Sequence, residues 1–353
     1  MAMIIRSICK IALAALCVVL YLGAQKAEPH LLPFGEGRNV GYIDLTGKVI
    51  IRARFGGARG FSEGLAAIKL AGKWGYIGET GNVVIQPQFD EAESFSEGLA
   101  CIGIARDPRR DMTRYGYIDK TGKVVINPQY ALTRGFSEGL GAVRVAVPGG
   151  YKEGFIDHDG KMVIPTRFRF VGPFHEGLAA VTIGEKEGFI DKAGKLVIPA
   201  EFDEVFPFSD GVALVGKATH GTSQLTKFGY IDRNGEFVIP YRYDNAGFFK
   251  EGLAAVSVAG NWGFIDKAGR LVIPCQFDHA YDFSEGLAAV SISHKYGYID
   301  RRGQMIIKPQ FYIPGKFRNG IAFVTSDPRD WEGHDVKRGY IDKTGKYIWG
   351  PEY

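Results

Sequence analysis

The chain has 353 residues, 46% of them hydrophobic and 23% charged, which suits one large repeat array or two average globular domains and excludes a disordered chain. The formal charge is +4, falling to +2 once Arg6 and Lys10 are set aside, too little to make nucleic acid or an anionic membrane the main partner. Glycine, at 48 residues, is about twice its usual share, and 24 Phe with 17 Tyr accompany it, a composition of short strands and tight turns.

The first predicted element is a leader. Arg6 and Lys10 precede an apolar run, 11–24, broken only by Tyr21 and small residues. Its length is that of a signal-peptide core and falls short of the ~20 residues that span a bilayer. Residues 1–27 therefore read as a signal peptide, with cleavage after Ala24 or Ala27, and an uncleaved N-terminal anchor as the alternative. Cys17 follows Ala14-Ala15-Leu16 and lacks the small preceding residue of a lipid-attachment signal. The expected location is extracytoplasmic: periplasm, cell surface or secreted. Membrane contact is expected only through that segment.

From residue 34 to 353 one phrase recurs. GYID or a variant starts at Gly41, Gly75, Gly116, Gly154, Gly188, Gly229, Gly263, Gly297 and Gly339. A second glycine follows six residues later, an aromatic eight beyond that (Phe55 in the first unit, Tyr353 in the last), and Phe six further on in every complete unit. This gives eight full units and a partial ninth in a single array. The basic period is 34, as from Gly41 to Gly75; longer units add residues only near 103–115, 146–153, 215–228 and 325–338. Extensions confined to one connection mark that connection as a surface loop, and all four are expected on one side.

Within a unit, 253–258 and 262–266 read as strands joined at Gly260-Asn261. Asp266 and Gly269 bound a tight turn, the carboxylate bonding backbone two residues on and the glycine supplying positive φ. A third strand follows at 271–277, and Pro274 confines part of it to an edge or bulge. A 34-residue unit cannot build its own core, so the aromatics must pack between neighbours. The expected fold is all-β: tandem three-stranded repeats forming a propeller-like ring or a β-solenoid, with the partial last unit able to close a ring onto 34–40.

Lys73-Trp74-Gly75-Tyr76-Ile77, Asn261-Trp262-Gly263-Phe264-Ile265-Asp266 and the V-I-x-P-Q-F-D phrase resemble the bacterial WG, or KWG, repeat. The resemblance covers nearly everything after residue 34. Only two units carry the tryptophan; Val40, Tyr115, Glu153, Glu187, Phe228, Tyr296 and Arg338 take its place elsewhere, so the fold does not require it. The resemblance implies a β-rich repeat used for binding or display, with no reaction and no catalytic residues.

The residues themselves agree. Gly60-Phe61-Ser62-Glu63-Gly64 and its copy at 135–139 match a hydrolase nucleophile elbow, yet the phrase recurs as a turn in every unit. The repeated Asp44, Asp119, Asp157, Asp191, Asp232, Asp266, Asp300 and Asp342 read as turn caps, since the further oxygens of a calcium loop are missing. Glu63, Glu97, Glu138, Glu176, Glu251 and Glu285 read as backbone hydrogen-bond acceptors at unit junctions rather than glycosidase acids. The seven histidines have no metal-site spacing, and Cys101 and Cys275 read as buried free thiols. No cofactor and no metal is expected. Non-periodic chemistry is confined to the extensions, where Arg109, Arg110, Arg114, Arg329, Trp331 and Arg338 form the candidate binding face, Arg and Trp being interface hot-spot residues. The expected function is a non-catalytic scaffold binding another envelope or extracellular protein. The alternative is a carbohydrate- or peptidoglycan-binding module, or a glycan-processing enzyme.

Overall fold

The computed structural model describes residues 31–105, 113–218, 225–326 and 338–350. They form nine antiparallel sheets in chain order, six four-stranded and three three-stranded, and no helix occurs among the described residues. Each sheet is one blade. Blade 2 is typical: the pair Gly57–Ala58, then Leu65–Leu70, Lys73–Gly78 and Val83–Phe89, joined in that order. The short initial pair was not foreseen: it is a two-residue strand in five blades, too brief for period-two patterning to reveal.

The last strand of each blade, which carries proline in blades 2 to 8, is an edge strand, and its pairing slips by a bulge where the phrase glycine stands. That glycine is sterically obligatory. A Cβ on Gly75 would lie 2.5 Å from the Ile85 carbonyl oxygen and 2.6 Å from the Pro87 nitrogen, both backbone atoms.

The core is nine separate clusters, each shared by two neighbouring blades. Between blades 2 and 3, for example, Tyr76, Ile85 and Phe89 meet Phe95, Ile102 and Ile118. The GYID aromatic packs on the Phe nineteen residues ahead, in the next blade, at eight junctions; Tyr76–Phe95 and Phe264–Phe283 have ring centroids 4.9 Å apart. Such tilted contacts add to the area the rings bury. Where the aromatic is Tyr, the hydroxyl also donates across the junction to the carbonyl seventeen residues on, Tyr42 to Arg59, Tyr76 to Glu93 and Tyr117 to Arg134, each at 2.7 Å.

The ninth junction decides between ring and solenoid. Tyr340 has no residue seventeen ahead; its hydroxyl donates to the Pro33 carbonyl at 2.8 Å, 307 positions back. Phe34, Ile43, Ile321 and Tyr340 form the ninth cluster, with Trp349 on Phe34 at 5.3 Å. The chain closes into a nine-bladed propeller, blade 9 sealing against blade 1 as the partial unit allowed.

Candidate functional site

The recurring polar groups are bound into the ring. The Ser62 hydroxyl donates to the Phe95 carbonyl and the Ser137 hydroxyl to the Phe174 carbonyl, each at 2.7 Å and each in the next blade. Among the described residues no histidine or other base orients either oxygen as a nucleophile would require. Replacing Ser62 or Ser137 by alanine is expected to cost about 1 kcal/mol of stability each, read by urea unfolding, and to leave any ester hydrolysis by the preparation unchanged.

The junction glutamates behave as expected from their recurrence. Each adopts positive φ near 53° and accepts the amide of the next blade's glycine: Glu97 from Gly139 and Glu138 from Gly177 at 2.9 Å. Asp210 does the same for Gly252 at 2.9 Å. Lysines from the next blade's turn join them, Lys120 on Glu63 at 3.0 Å and Lys343 on Glu285 at 3.1 Å. The turn aspartates accept the amides two and four residues on, as at Asp44 from Thr46 and Lys48.

These bonds shift the carboxyls. The Thr46 hydroxyl and neighbouring amides hold Asp44 below the usual range, and Lys73 with the Ala105 amide does so for Asp90. At Glu63, Glu138 and Glu285 partial burial pushes upward, but the lysine and glycine bonds outweigh it and the net direction is down. A depressed folded-state pKa gives stability that is present above the unfolded value, about 4, and lost as pH falls through the folded one. Asp282, pushed up by burial, opposes the trend. The thermal midpoint is therefore expected to hold from pH 7 to about 5 and to fall steeply below about 4; a midpoint constant to pH 3 would contradict this assignment.

Of the predicted binding residues, Arg109, Arg110, Arg329 and Trp331 lie outside the described residues. Arg114 is half-buried on Thr113–Asp119 of blade 3, and Arg338 is half-buried on Arg338–Asp342 of blade 9. Blades 1 and 2 stand between them, so these two arginines do not adjoin. Arg338 instead lies against the ring seam, its guanidinium 2.8 Å from where a Gly35 Cβ would be. All four extensions fall at the same connection of the repeat, between the second and third strands of blades 3, 4 and 6 and between the first and second of the three-stranded blade 9. Cys101 is buried and Cys275 is half-buried rather than fully enclosed; both are free.

The extension in blade 4, described throughout, lines a cleft. This cleft of about 790 Å³ lies between blades 4 and 5. Val147, Pro148, Gly149, Tyr151 and Lys152 come from the extended hairpin, and Arg167, Arg169, Thr182, Ile183 and Gly184 complete most of the wall. Four cations line it, with Arg144 the fourth, and no acidic residue does. Tyr151 is 55% exposed, whereas the repeat tyrosines Tyr42, Tyr76, Tyr117, Tyr230 and Tyr298 are fully buried. Below the cleft Glu153, wholly buried, joins Arg134 at 3.0 Å and Arg144 Nε at 2.7 Å, and accepts the Val171 amide at 2.9 Å. Sequence reasoning located this hairpin but not the cleft. Elsewhere, Trp262, His279, Tyr281 and Tyr296 gather as partly exposed rings on blades 7 and 8.

A family model described as "WG containing repeat" matches residues 41–74, 74–103, 115–146, 154–186, 188–217, 228–262, 262–295 and 296–327. The chain belongs to the WG-repeat family. The position that names the repeat faces the blade junction here. Trp74 pairs across its blade with Phe89 and carries Arg59 over its ring at 5.5 Å. In the fifth WG unit Glu187 fills the position and accepts the Val205 amide of the next blade at 2.9 Å, so the role passes from packing to hydrogen bonding.

Comparison with curated protein sequences finds no match. Among solved structures, the chain is similar to apo AztD from Citrobacter koseri, with 12% identity, TM-score 0.40 and coverage of 91% of this chain and 93% of that one. It is similar to Kluyveromyces lactis Hsv2p, with 10% identity, TM-score 0.37 and coverage of 60% and 74%. It is also similar to PorZ, a surface component of the Porphyromonas gingivalis type-IX secretion system, with 10% identity and TM-score 0.32 over 82% of this chain, which spans only 44% of PorZ. The functional reading rests on the WG-repeat chain's own residues.

Proposed function

We propose that this WG-repeat propeller is a non-catalytic scaffold outside the cytoplasm that holds another envelope or extracellular protein on the face where its extended hairpins open. The observation that carries the reading is the distribution of chemistry. Ser, Glu and Asp residues that recur in the ring are engaged in bonds within or between blades, whereas all four departures from the 34-residue period fall at the same strand connection. Rigid blades presenting variable loops are the usual arrangement of a binding scaffold. The location rests on the leader-like segment with Arg6, Lys10 and the apolar run 11–24.

A second reading, glycan binding, draws on the partly exposed cluster of Trp262, His279, Tyr281 and Tyr296. It is the weaker, because the fixed-position tyrosines are consumed by the core. Affinity capture from envelope extract tests both, using the mature chain beside a version with the four extensions trimmed to the basic period. A defined protein retained by the full chain, lost by the trimmed one and rebinding when purified supports the scaffold. Glycan retained equally by both moves the site to the repeat surface and overturns it.

A further inference from the structure

One ion pair recurs around the ring and is inverted in a single place. A lysine two residues before the phrase glycine meets the side chain seventeen positions on: Lys73 with Asp90 at 2.5 Å, Lys186 with Asp203, and Lys227 with Asp244 at 2.6 Å. In blade 8 Lys295 follows the same rule over the Tyr312 ring at 5.1 Å. Each of those aspartates also accepts, through its other oxygen, the backbone amide fifteen positions further: Asp90 from Ala105 at 2.8 Å, Asp203 from Ala218 at 2.9 Å and Asp244 from Ala259 at 2.7 Å. A carboxylate is thus clamped between an ammonium and an amide in three blade junctions.

In blade 4 the lysine is Lys152, the residue seventeen on is Arg169, and the amide fifteen beyond is that of Gly184. All three line the cleft between blades 4 and 5. The ammonium and the amide position remain, but the carboxylate between them has become a second cation. Arg167 adds to the same wall, while the Arg144 charge is met by the buried Glu153, and no acid lines the cleft itself. Like charges gathered in a concavity raise its potential and favour a counter-charge.

We propose that this cleft binds a small organic carboxylate whose carboxylate occupies the place that Asp90, Asp203 and Asp244 fill in the sister blades. It accepts from Lys152 and the Gly184 amide, and Arg169 supplies a further charge-assisted bond. The body of the ligand lies against Tyr151, Pro148 and Ile183, the exposed ring and apolar wall of the cleft. A volume of about 790 Å³ suits a ligand of this class. The proposal does not rest on the scaffold reading, although the blade 4 extension that lines the cleft belongs to the proposed protein-binding face.

The test is titration calorimetry on the purified full chain at low salt with glucuronate, benzoate and inorganic phosphate. One carboxylate is expected to bind with one-to-one stoichiometry. Preference for glucuronate identifies a sugar acid and preference for benzoate an acid with an apolar body; either supports the site. Arg169→Asp rebuilds the sister arrangement inside the chain. It is expected to raise the thermal midpoint without ligand and to weaken carboxylate binding about tenfold or more, by filling the position and reversing its charge. Lys152→Met, which keeps the apolar stem, should weaken binding without adding a charge. Carboxylate binding that is unchanged in both variants overturns the proposal, as does phosphate binding as tight as that of either carboxylate.

Discussion

Gly47→Ala is expected to destabilise the propeller by about 3 kcal/mol or more, although the residue sits in an ordinary turn. Gly47 has φ of +86°, and alanine in that region costs about 1–3 kcal/mol by itself. The larger consequence is at the seam. The new Cβ would stand 1.9 Å from the Ile348 carbonyl oxygen and 3.5 Å from the Trp349 Cβ. Backbone cannot yield as a flexible side chain does, so blades 1 and 9 must part, exposing Phe34, Ile43, Ile321 and Tyr340. Gly64→Ala supplies the control: its φ is +84°, yet nothing lies within 4 Å of its Cβ. Urea unfolding of the two variants separates backbone strain from ring opening. Equal losses would mean that the seam is not packed at Gly47.

Glu153→Leu is expected to cost about 3 kcal/mol, towards the lower end of what breaking a buried ion pair costs. The substitution leaves Arg134 and Arg144 facing each other and removes the acceptor of the Val171 amide. Both arginine side chains are about a third exposed, 28% and 32%, so water recovers part of their solvation and limits the loss. Glu187→Leu, at the equivalent position of the next unit, removes only the Thr182 hydroxyl and Val205 amide partners. It should cost about 1–2 kcal/mol. Chemical denaturation of the pair checks the difference; equal losses would show that the two arginines contribute nothing at Glu153.

The blade was legible because its constraints are local. Gly75 must be glycine to clear Ile85 and Pro87, Asp266 caps its own turn, and Tyr76 must find Phe95 a fixed distance ahead. Period, the three long strands of each blade and the junction role of the glutamates all follow from such spacings, whereas the two-residue strand that opens five blades does not. Closure is different: the bond from Tyr340 to Pro33 joins residues 307 apart, and no period predicts a contact where the repeat stops. The cleft was missed for another reason. Arg169 is unremarkable alone and acquires meaning only beside Lys152, seventeen positions earlier, once Lys73–Asp90, Lys186–Asp203 and Lys227–Asp244 establish the rule. That spacing is present in the sequence, but which face it occupies and what it lines are set by packing between blades.

The most direct test of the closed ring is a distance across its seam. Spin labels at Lys48→Cys and Lys346→Cys, in a chain without the leader (and so without Cys9 and Cys17) and with Cys101→Ser and Cys275→Ser, sit on exposed positions flanking the contact between Gly47 and Ile348. A closed nine-bladed propeller gives one narrow distribution at roughly 20 Å or less, two labels on chains in contact. An open array of blades stacked about 10 Å apart would place the same labels roughly 80 Å from each other, and a distribution centred there would contradict the closed fold.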